Sequence, residues 1–140
     1  MRIGYAMASP ELIKYLNDVK YSFNSYTMDQ TALDLGVASI NDQVYFEETL
    51  HKIIQTRERV KLRLTELGFT FRDSKSNFIF ASHKSCPAEE LFEKLKERDI
   101  YVRYFKKPRI DNYLRITIGT DAEMDEFLAE VEKYLKETGR

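Results

Sequence analysis

The sequence has few of the residues that carry covalent or metal chemistry. It contains one cysteine, Cys86, so no disulfide can form within the chain, and a reducing, cytoplasmic location is the simplest expectation. Cys86 directly precedes Pro87 at a predicted helix start, which gives no reason to expect a catalytic nucleophile. His51 and His83 lie far apart in sequence and lack the spacing of metal ligands. The sequence therefore predicts no metal site.

Long apolar runs and an excess of one charge are also absent. No apolar run is long enough to cross a membrane. Lys plus Arg number 22 and Asp plus Glu number 23, so neither nucleic acid nor an anionic membrane is an expected partner. Hydrophobic residues make up 43% and charged residues 32% of the 140 residues, which is typical of an ordinary globular protein. A chain of this length can bury roughly two-thirds of its unfolded surface without a disulfide or a metal.

The hydrophobic pattern predicts an α+β fold. Helices are expected from Ser9–Pro10 onward, over 29–40, from 41–42 to Gly68, from Pro87 and after Thr120, and strands over 2–8, 69–72, 77–82, 100–105 and 113–119. Strand pairs interrupted by helices predict a small, mostly antiparallel sheet that is covered by helices on one face. Residues 20–29 are interpreted as a linker, residues 1–28 as the remnant of another domain with that linker, and residues 29–140 as a small C-terminal domain.

The stretch NYLRITIGT, residues 112–120, places a charge inside a regular strand. Leu114, Ile116 and Ile118 alternate and share one face, so Arg115 must lie on the other. Thr120 and Glu123 fit the capping box of the helix that follows.

Arg115 has a possible companion in Arg103, which lies on the preceding predicted strand. Consecutive strands are usually neighbours, so the two guanidinium groups could converge, and converging arginines favour a bound carboxylate or phosphate. The pattern alone leaves two alternatives open, an anion site or a solvated sheet face, and favours the solvated face. Arg2 is harder to judge, since Gly4 would allow close backbone approach at a site, whereas the plainer alternative is a frayed N-terminal residue.

Two asparagines are weaker candidates. Asn77 precedes the apolar run FIF and could direct its amide into a site, although completing a turn is the favoured interpretation. Asn24, in the predicted linker, could contact a neighbouring chain or only stabilise a turn.

Several segments together resemble a known family. MRIGYAMASPELI is similar to the stretch that follows the Schiff-base lysine in fold-type I pyridoxal-phosphate aminotransferases. NFIFA, IYVRYF and YLRITIGTDAEMDEFL resemble the C-terminal part of the histidinol-phosphate aminotransferases. The resemblance is collinear and covers essentially the whole chain, and its most specific part is the block VRYF…PRI…LRITIGT. It implies the small C-terminal domain of such an enzyme plus a remnant of the large cofactor-binding domain.

The resemblance also implies roles for single residues. Arg2 matches the arginine that holds the phosphate of pyridoxal 5'-phosphate, and Arg115 matches the arginine that binds the substrate carboxylate. Arg103 resembles the second arginine of the histidinol-phosphate subgroup, which helps to bind the anionic end of the substrate. Asn77 and Asn24 match frequent residues without a firm role, and both are kept as substrate-binding candidates.

The same resemblance sets expectations for the enzyme as a whole. The Schiff-base lysine would lie before Arg2, outside this sequence, so the chain alone is expected to bind no cofactor and to be inactive. The full-length enzyme would be a homodimer that transfers an amino group between glutamate and imidazole-acetol phosphate in histidine biosynthesis. Its small-molecule substrates would be an amino acid, a 2-oxo acid and a phosphate ester, and residues 24–26 are candidates for contact with the partner subunit.

Two alternatives remain. The parent could be another fold-type I enzyme, either an aromatic aminotransferase or a decarboxylase of an amino-acid phosphate. The chain could also be a regulatory domain without enzyme activity that binds a small anion at Arg103 and Arg115.

Overall fold

A computed structural model describes residues 3–140, and their helices and strands confirm the predicted α+β class. The helices are α1 (Pro10–Phe23), α2 (Gln30–Asn41), α3 (Gln43–Glu66), α4 (Ala88–Lys96) and α5 (Asp121–Glu137); the strands are β1 (Phe69–Phe71), β2 (Phe78–His83), β3 (Arg103–Tyr104) and β4 (Leu114–Thr117). The chain divides into two compact units, of which the first ends at Glu48 and the second spans Thr49–Arg140. The domain boundary predicted at residues 28–29 concerns the parent enzyme and stays a prediction.

The first unit consists of capped helices without buried side chains. Ser9 caps α1 by accepting a hydrogen bond from the Leu12 N–H, and Pro10 occupies the first turn. Asp29 caps α2 in the same way, with a 2.7 Å hydrogen bond from the Ala32 N–H. No residue of α1 or α2 is buried. These helices therefore owe their ends to local capping, and most of the apolar side chains of α1, such as Leu12, Leu16 and Val19, remain exposed.

Two predictions for the N-terminal region are wrong. Residues 3–8 form no strand, because no other strand of the described chain pairs with their backbone. The predicted linker is helical over its first residues, since α1 continues to Phe23. There the Ser22 hydroxyl donates to the Val19 carbonyl, and the Asn24 N–H donates to the Lys20 carbonyl at 2.8 Å. Serine and asparagine thus complete the last turn of the helix where the pattern predicted a break.

The second unit is built on an antiparallel sheet with the strand order β1-β2-β4-β3. β2 is paired with β1 on one side and with β4 on the other, and the register places Ile79 opposite Ile116 and Phe80 opposite Arg115. Because side chains alternate along each strand, Ile79, Ala81, Leu114 and Ile116 all point to one face. That face is buried against α3, α4 and α5 by Val60, Leu64, Leu91, Leu95, Phe127, Val131 and further core residues. The helices that form the core of the second unit all lie on that face of the sheet, and none of them covers the opposite face.

The ends of α3 and α5 are determined by specific contacts. Gly68 ends α3 with φ +84°, and a Cβ atom placed there would lie 2.9 Å from His83 Nε2. His83 is buried beside it and bonds the Leu67 carbonyl at 3.1 Å. At α5 the predicted capping box is confirmed, with Thr120 and Glu123 bonded to each other's backbone N–H groups.

The strand predicted over 100–105 is wrong in length, because β3 has only two residues, Arg103–Tyr104. Before it, Asp99 has φ +59° and the Ile100 N–H still bonds the Leu95 carbonyl of α4. After it, a turn begins in which the Lys107 N–H bonds the Phe105 carbonyl at 2.8 Å. The chain therefore runs along the sheet edge only between a helix end and a turn.

Candidate functional site

The face of the sheet opposite the core, called here the open face, carries the two arginines singled out in the sequence. Arg103 on β3 is the direct cross-strand partner of Arg115 on β4. Directly opposed residues of an antiparallel pair have Cβ atoms about 4.5–5.5 Å apart, and like charges in that position destabilise the sheet. The predicted convergence of the two arginines is therefore confirmed. Neither guanidinium has a carboxylate partner among residues 3–140.

Arg115 is the more enclosed of the two. Its guanidinium carbon lies 5.5 Å from the ring centre of Phe78 and 5.9 Å from that of Phe105. Its Nε atom is buried and has no hydrogen-bond partner within the described chain. A buried donor without a partner costs about 1–3 kcal/mol, and more when it is charged. An anion bound at this guanidinium would remove that cost.

Arg103 is exposed and contacts the same aromatic ring. Its guanidinium carbon lies 5.4 Å from the ring centre of Phe105. Phe105 in turn meets Phe80 edge-on at 6.5 Å, and Phe80 stacks on Tyr113 at 4.7 Å. These rings restrict the rotamers that the two arginines can adopt, and cation–π contacts add about 0.5–1 kcal/mol each at exposed sites.

The distribution of ion pairs separates the arginines of the described chain into two groups. Carboxylate partners lie beside Arg57, Arg59, Arg63, Arg98 and Arg140. No such partner among residues 3–140 lies beside Arg72, Arg103, Arg109 or Arg115. Arg103 and Arg115 lie on the open face, and Arg72 and Arg109 line a cleft beside them on the same face. Positive charge without an internal counterion is thus concentrated on one side of the sheet, which favours anionic ligands there.

Asn77 and Asn24 make local contacts. Asn77 is exposed, and its backbone carbonyl accepts a 2.9 Å hydrogen bond from the Ile118 N–H, which extends the pairing of β2 with β4. Asn24 caps α1, and its Oδ1 accepts a 3.2 Å hydrogen bond from the Tyr26 N–H, as in an Asx turn. Both contacts are what turn chemistry provides, and a substrate-binding role for either residue stays a prediction. Arg2 lies outside the described residues.

Several side chains around the site were not predicted from the sequence. Arg57 on α3 is 5% exposed and donates a 3.1 Å hydrogen bond to the Ser76 carbonyl, in the turn between β1 and β2. The same turn is held by Lys61, which bonds both Glu58 and Asp73. The hydrogen bonds from Lys61 lower the pKa of both carboxyl groups, so they remain charged. α3 therefore anchors the turn that leads into Phe78. Strand alternation could have placed Phe78 and Phe80 beside Arg115, but no sequence signal marked the anchoring role of Arg57.

The described chain gives little support for a nucleophilic cysteine, a metal site or a membrane-spanning helix. Burial raises the pKa of the Cys86 thiol, and a protonated thiol is a poor nucleophile. Within residues 3–140, no group of His, Cys, Asp or Glu has the arrangement of a metal site. No helix in the same range is long and apolar enough to span a bilayer. The feature that remains is a small α+β domain with an unpaired arginine couple on the open face of its sheet.

This fold and site define a small α+β domain whose open sheet face carries an arginine couple without a carboxylate partner among residues 3–140, and comparison with known proteins identifies its family. The model of the family "Aminotransferase class I and II" matches residues 1–131, so the chain belongs to that family. Its curated relatives include histidinol-phosphate aminotransferases from Brachyspira hyodysenteriae, 50% identical over 97% of this chain, and from Clostridium acetobutylicum, 52% identical over 96%. The chain spans 38% of the length of each of these relatives.

The fold likeness extends to solved structures. The histidinol-phosphate aminotransferase from Sinorhizobium meliloti, solved in complex with pyridoxal-5'-phosphate, superposes on 92% of this chain with a TM-score of 0.74. The superposed residues are 21% identical and make up 35% of that protein's chain. This likeness confirms the fold, in agreement with the predicted small domain of an aminotransferase.

Proposed function

We propose that this chain is the substrate-binding small domain of a pyridoxal-phosphate-dependent histidinol-phosphate aminotransferase. The full-length enzyme would transfer an amino group between glutamate and imidazole-acetol phosphate in histidine biosynthesis. Family membership supports this proposal, as does identity of about 50% to curated relatives that carry that name. The observation that carries it is the Arg103–Arg115 couple, in which Arg115 keeps a buried, unpartnered Nε on the open face.

The two arginines have a distinct role each in this proposal. Arg115, which is half-buried between Phe78 and Phe105, binds the carboxylate of the amino-acid substrate. Arg103, which is exposed across the strand, helps to bind the anionic end of either substrate. A guanidinium presents a planar fork that matches carboxylate and phosphate alike, so one couple can accept glutamate in one half of the reaction and a phosphate ester in the other.

The cofactor belongs to the full-length enzyme in this proposal. Pyridoxal phosphate supplies the electron sink for amino transfer when it is bound. Arg2 is the residue of this chain that we propose to hold the cofactor phosphate, and since it lies outside the described residues its geometry enters no step here. What this chain contributes is the binding and orientation of the substrate anion. A homodimeric parent, contact of residues 24–26 with the partner subunit, and a cytoplasmic location all stay predictions.

The test is steady-state kinetics of the full-length enzyme that carries this sequence. Arg115→Lys keeps the charge but loses the planar fork and the Nε donor. A charge-assisted hydrogen bond contributes about 1.5–3 kcal/mol, so kcat/KM for histidinol phosphate should fall roughly ten- to hundredfold or more. Arg98→Lys is the matched control, because Arg98 is similarly charged and makes a loose 3.8 Å pair with Glu130.

Two results would contradict the proposal. If Arg115→Lys and Arg98→Lys both stay within about twofold of the wild type, Arg115 does not bind the substrate anion. If the wild-type enzyme uses phenylalanine as fast as histidinol phosphate, the assignment to the histidinol-phosphate subgroup fails while the family assignment stands.

A further inference from the structure

A cleft on the open face lies beside the Arg103–Arg115 couple. It has a volume of about 630 Å³, which lies in the range of small-molecule sites. Its lining includes Arg72, Arg109, Phe80 and Tyr113, and it includes neither Arg103 nor Arg115. All of its lining residues belong to the second unit. We refer to it below as the Arg72–Arg109 cleft.

Aromatic rings form the border between this cleft and the proposed substrate site. Phe80, which is the cross-strand partner of Arg115, stacks on Tyr113 with an interplanar angle of 16°. Both rings line the cleft, and so does Phe78, whose ring centre lies 5.5 Å from the Arg115 guanidinium carbon. Phe105, the other ring beside Arg115, does not line the cleft. The stacked pair therefore forms a wall of the cleft and gives it a flat apolar surface.

The charge inside the cleft is positive. Within residues 3–140, neither Arg72 nor Arg109 has an ion pair or a side-chain hydrogen bond. The one carboxylate in the lining, that of Asp73, is bound by Lys61 and, at 3.2 Å, by Lys75. Hydrogen bonds from these lysines lower the pKa of Asp73, so it stays ionised, and their positive charges offset its negative one. Two arginines therefore face the cleft without an acidic group that could pair with them.

Hydrogen bonds stabilise the loop that carries Arg109. Arg109 has φ +74°, the left-handed region that costs a non-glycine residue about 1–2 kcal/mol. Flanking hydrogen bonds of 3.2 Å run from the Ile110 N–H to the Lys107 carbonyl and from the Tyr113 N–H to the Ile110 carbonyl. Asn112 anchors the loop further by accepting a 3.2 Å hydrogen bond from the Ala88 N–H. The backbone thus fixes Arg109 at the rim of the cleft.

We propose that the Arg72–Arg109 cleft is a second anion-binding site, which takes a phosphate monoester that carries an aromatic or heteroaromatic ring. The two arginines bind the phosphate as a pair of planar donors, and the Phe80–Tyr113 wall packs against the ring. The inference rests on the cleft itself and does not require the proposed enzymatic function. If that function holds, the ligand class includes a second molecule of the enzyme's own ring-bearing phosphate ester.

The test is an NMR titration of the ¹⁵N-labelled 140-residue chain with phenyl phosphate at constant ionic strength. Inorganic phosphate serves as the probe that carries only the anion, and benzyl alcohol as the probe that carries only the ring. We expect phenyl phosphate to shift the backbone amides of residues 72–74 and 109–113, and to bind more tightly than either simpler probe. In Arg72→Gln and Arg109→Gln, the dissociation constant should rise about tenfold or more, because each variant loses a charge-assisted hydrogen bond.

Arg98→Gln is the control variant and should bind like the wild type. The amides of residues 103–105, none of which lines the cleft, report on the other site, so any shifts there should persist in Arg72→Gln. Shifts confined to residues around Arg103 and Arg115 would overturn the inference without touching the proposed function. So would equal affinity for phenyl phosphate in the wild type and both variants. The wild-type shift pattern needs no variant, so the test stands even where a substitution disturbs folding.

Discussion

Replacing Arg115 by methionine in the 140-residue chain distinguishes a binding role from a structural one. The variant Arg115→Met removes the charge and the buried Nε while keeping an unbranched stem between Phe78 and Phe105. A residue whose side chain holds the sheet together would destabilise it on removal. A residue kept for a ligand should be neutral or unfavourable in the empty domain.

The magnitude follows from the contacts of Arg115. Removing the unsatisfied buried donor should raise the free energy of unfolding by about 1–3 kcal/mol, and removing the like charge opposite Arg103 should raise it by about 0.2–1 kcal/mol more. Against this, two cation–π contacts of about 0.5–1 kcal/mol each are lost. The free energy of unfolding should therefore fall by no more than about 1 kcal/mol, or rise by up to about 3 kcal/mol.

The assay is urea unfolding followed by circular dichroism, with the variant compared to the wild type at equal concentration. Arg98→Met is the control, and it should change the free energy of unfolding by no more than about 0.5 kcal/mol, since Arg98 is exposed and loosely paired. In the full-length enzyme the same Arg115→Met should lower kcat/KM by at least about tenfold. A loss of stability of more than about 1 kcal/mol in the isolated chain would refute the reasoning, because it would make Arg115 a structural residue.

Three further predictions concern the framework of the second unit. Thr120→Ala removes the N-cap of α5 and should lower the free energy of unfolding by about 0.5–2 kcal/mol in urea, whereas Thr117→Ala, at an exposed strand position, should cost less. The backbone N–H and hydroxyl of Thr120 hold the pKa of Glu123 below its ordinary value of 4.5, so the contribution of Glu123 to stability is present above pH 4.5 and is lost as the pH falls through the lowered pKa. In urea unfolding curves measured from pH 7 to pH 3, Glu123→Gln should therefore lose less stability than the wild type. An equal loss in both proteins would contradict this prediction. Gly68→Ala should destabilise by about 1 kcal/mol or more in thermal unfolding, because φ is +84° and the added Cβ meets His83; a neutral result would show that the turn relaxes easily.

The core and the strongest local signals could be predicted from the sequence. The alternation of Leu114, Ile116 and Ile118 correctly indicated the buried face of β4, and the capping box at Thr120 and Glu123 is present as expected. Both signals depend on neighbours within a few residues, so local sequence is sufficient to reveal them.

The length of β3 and the order of the strands depend on tertiary contacts. The two-residue length of β3 depends on the helix end at Asp99 and on the turn after Phe105, neither of which has a distinctive pattern. The strand order, with β4 rather than β3 beside β2, follows from packing and not from the order of strands along the chain.

For the candidate site, strand adjacency correctly predicted that Arg103 and Arg115 converge. The sequence could not show that Arg115 would have a buried Nε without a partner, because that depends on Phe78 of β2 and on Phe105 in the turn after β3. The Arg72–Arg109 cleft was not predicted either, because no sequence pattern marks an arginine whose backbone adopts a left-handed conformation in a loop.

The central claim is that Arg103 and Arg115 bind the same substrate anion, and a double-mutant cycle in the full-length enzyme tests it most directly. The quantity to measure is kcat/KM for histidinol phosphate in the wild type, Arg103→Gln, Arg115→Gln and the double variant. Two residues that share one ligand are coupled, so the single effects should fail to add by about 0.5–3 kcal/mol, whereas Arg98→Gln combined with Arg115→Gln should be additive. Additivity of the Arg103 and Arg115 effects within about 0.3–0.5 kcal/mol would contradict the account, since it would mean that the two arginines act on separate partners.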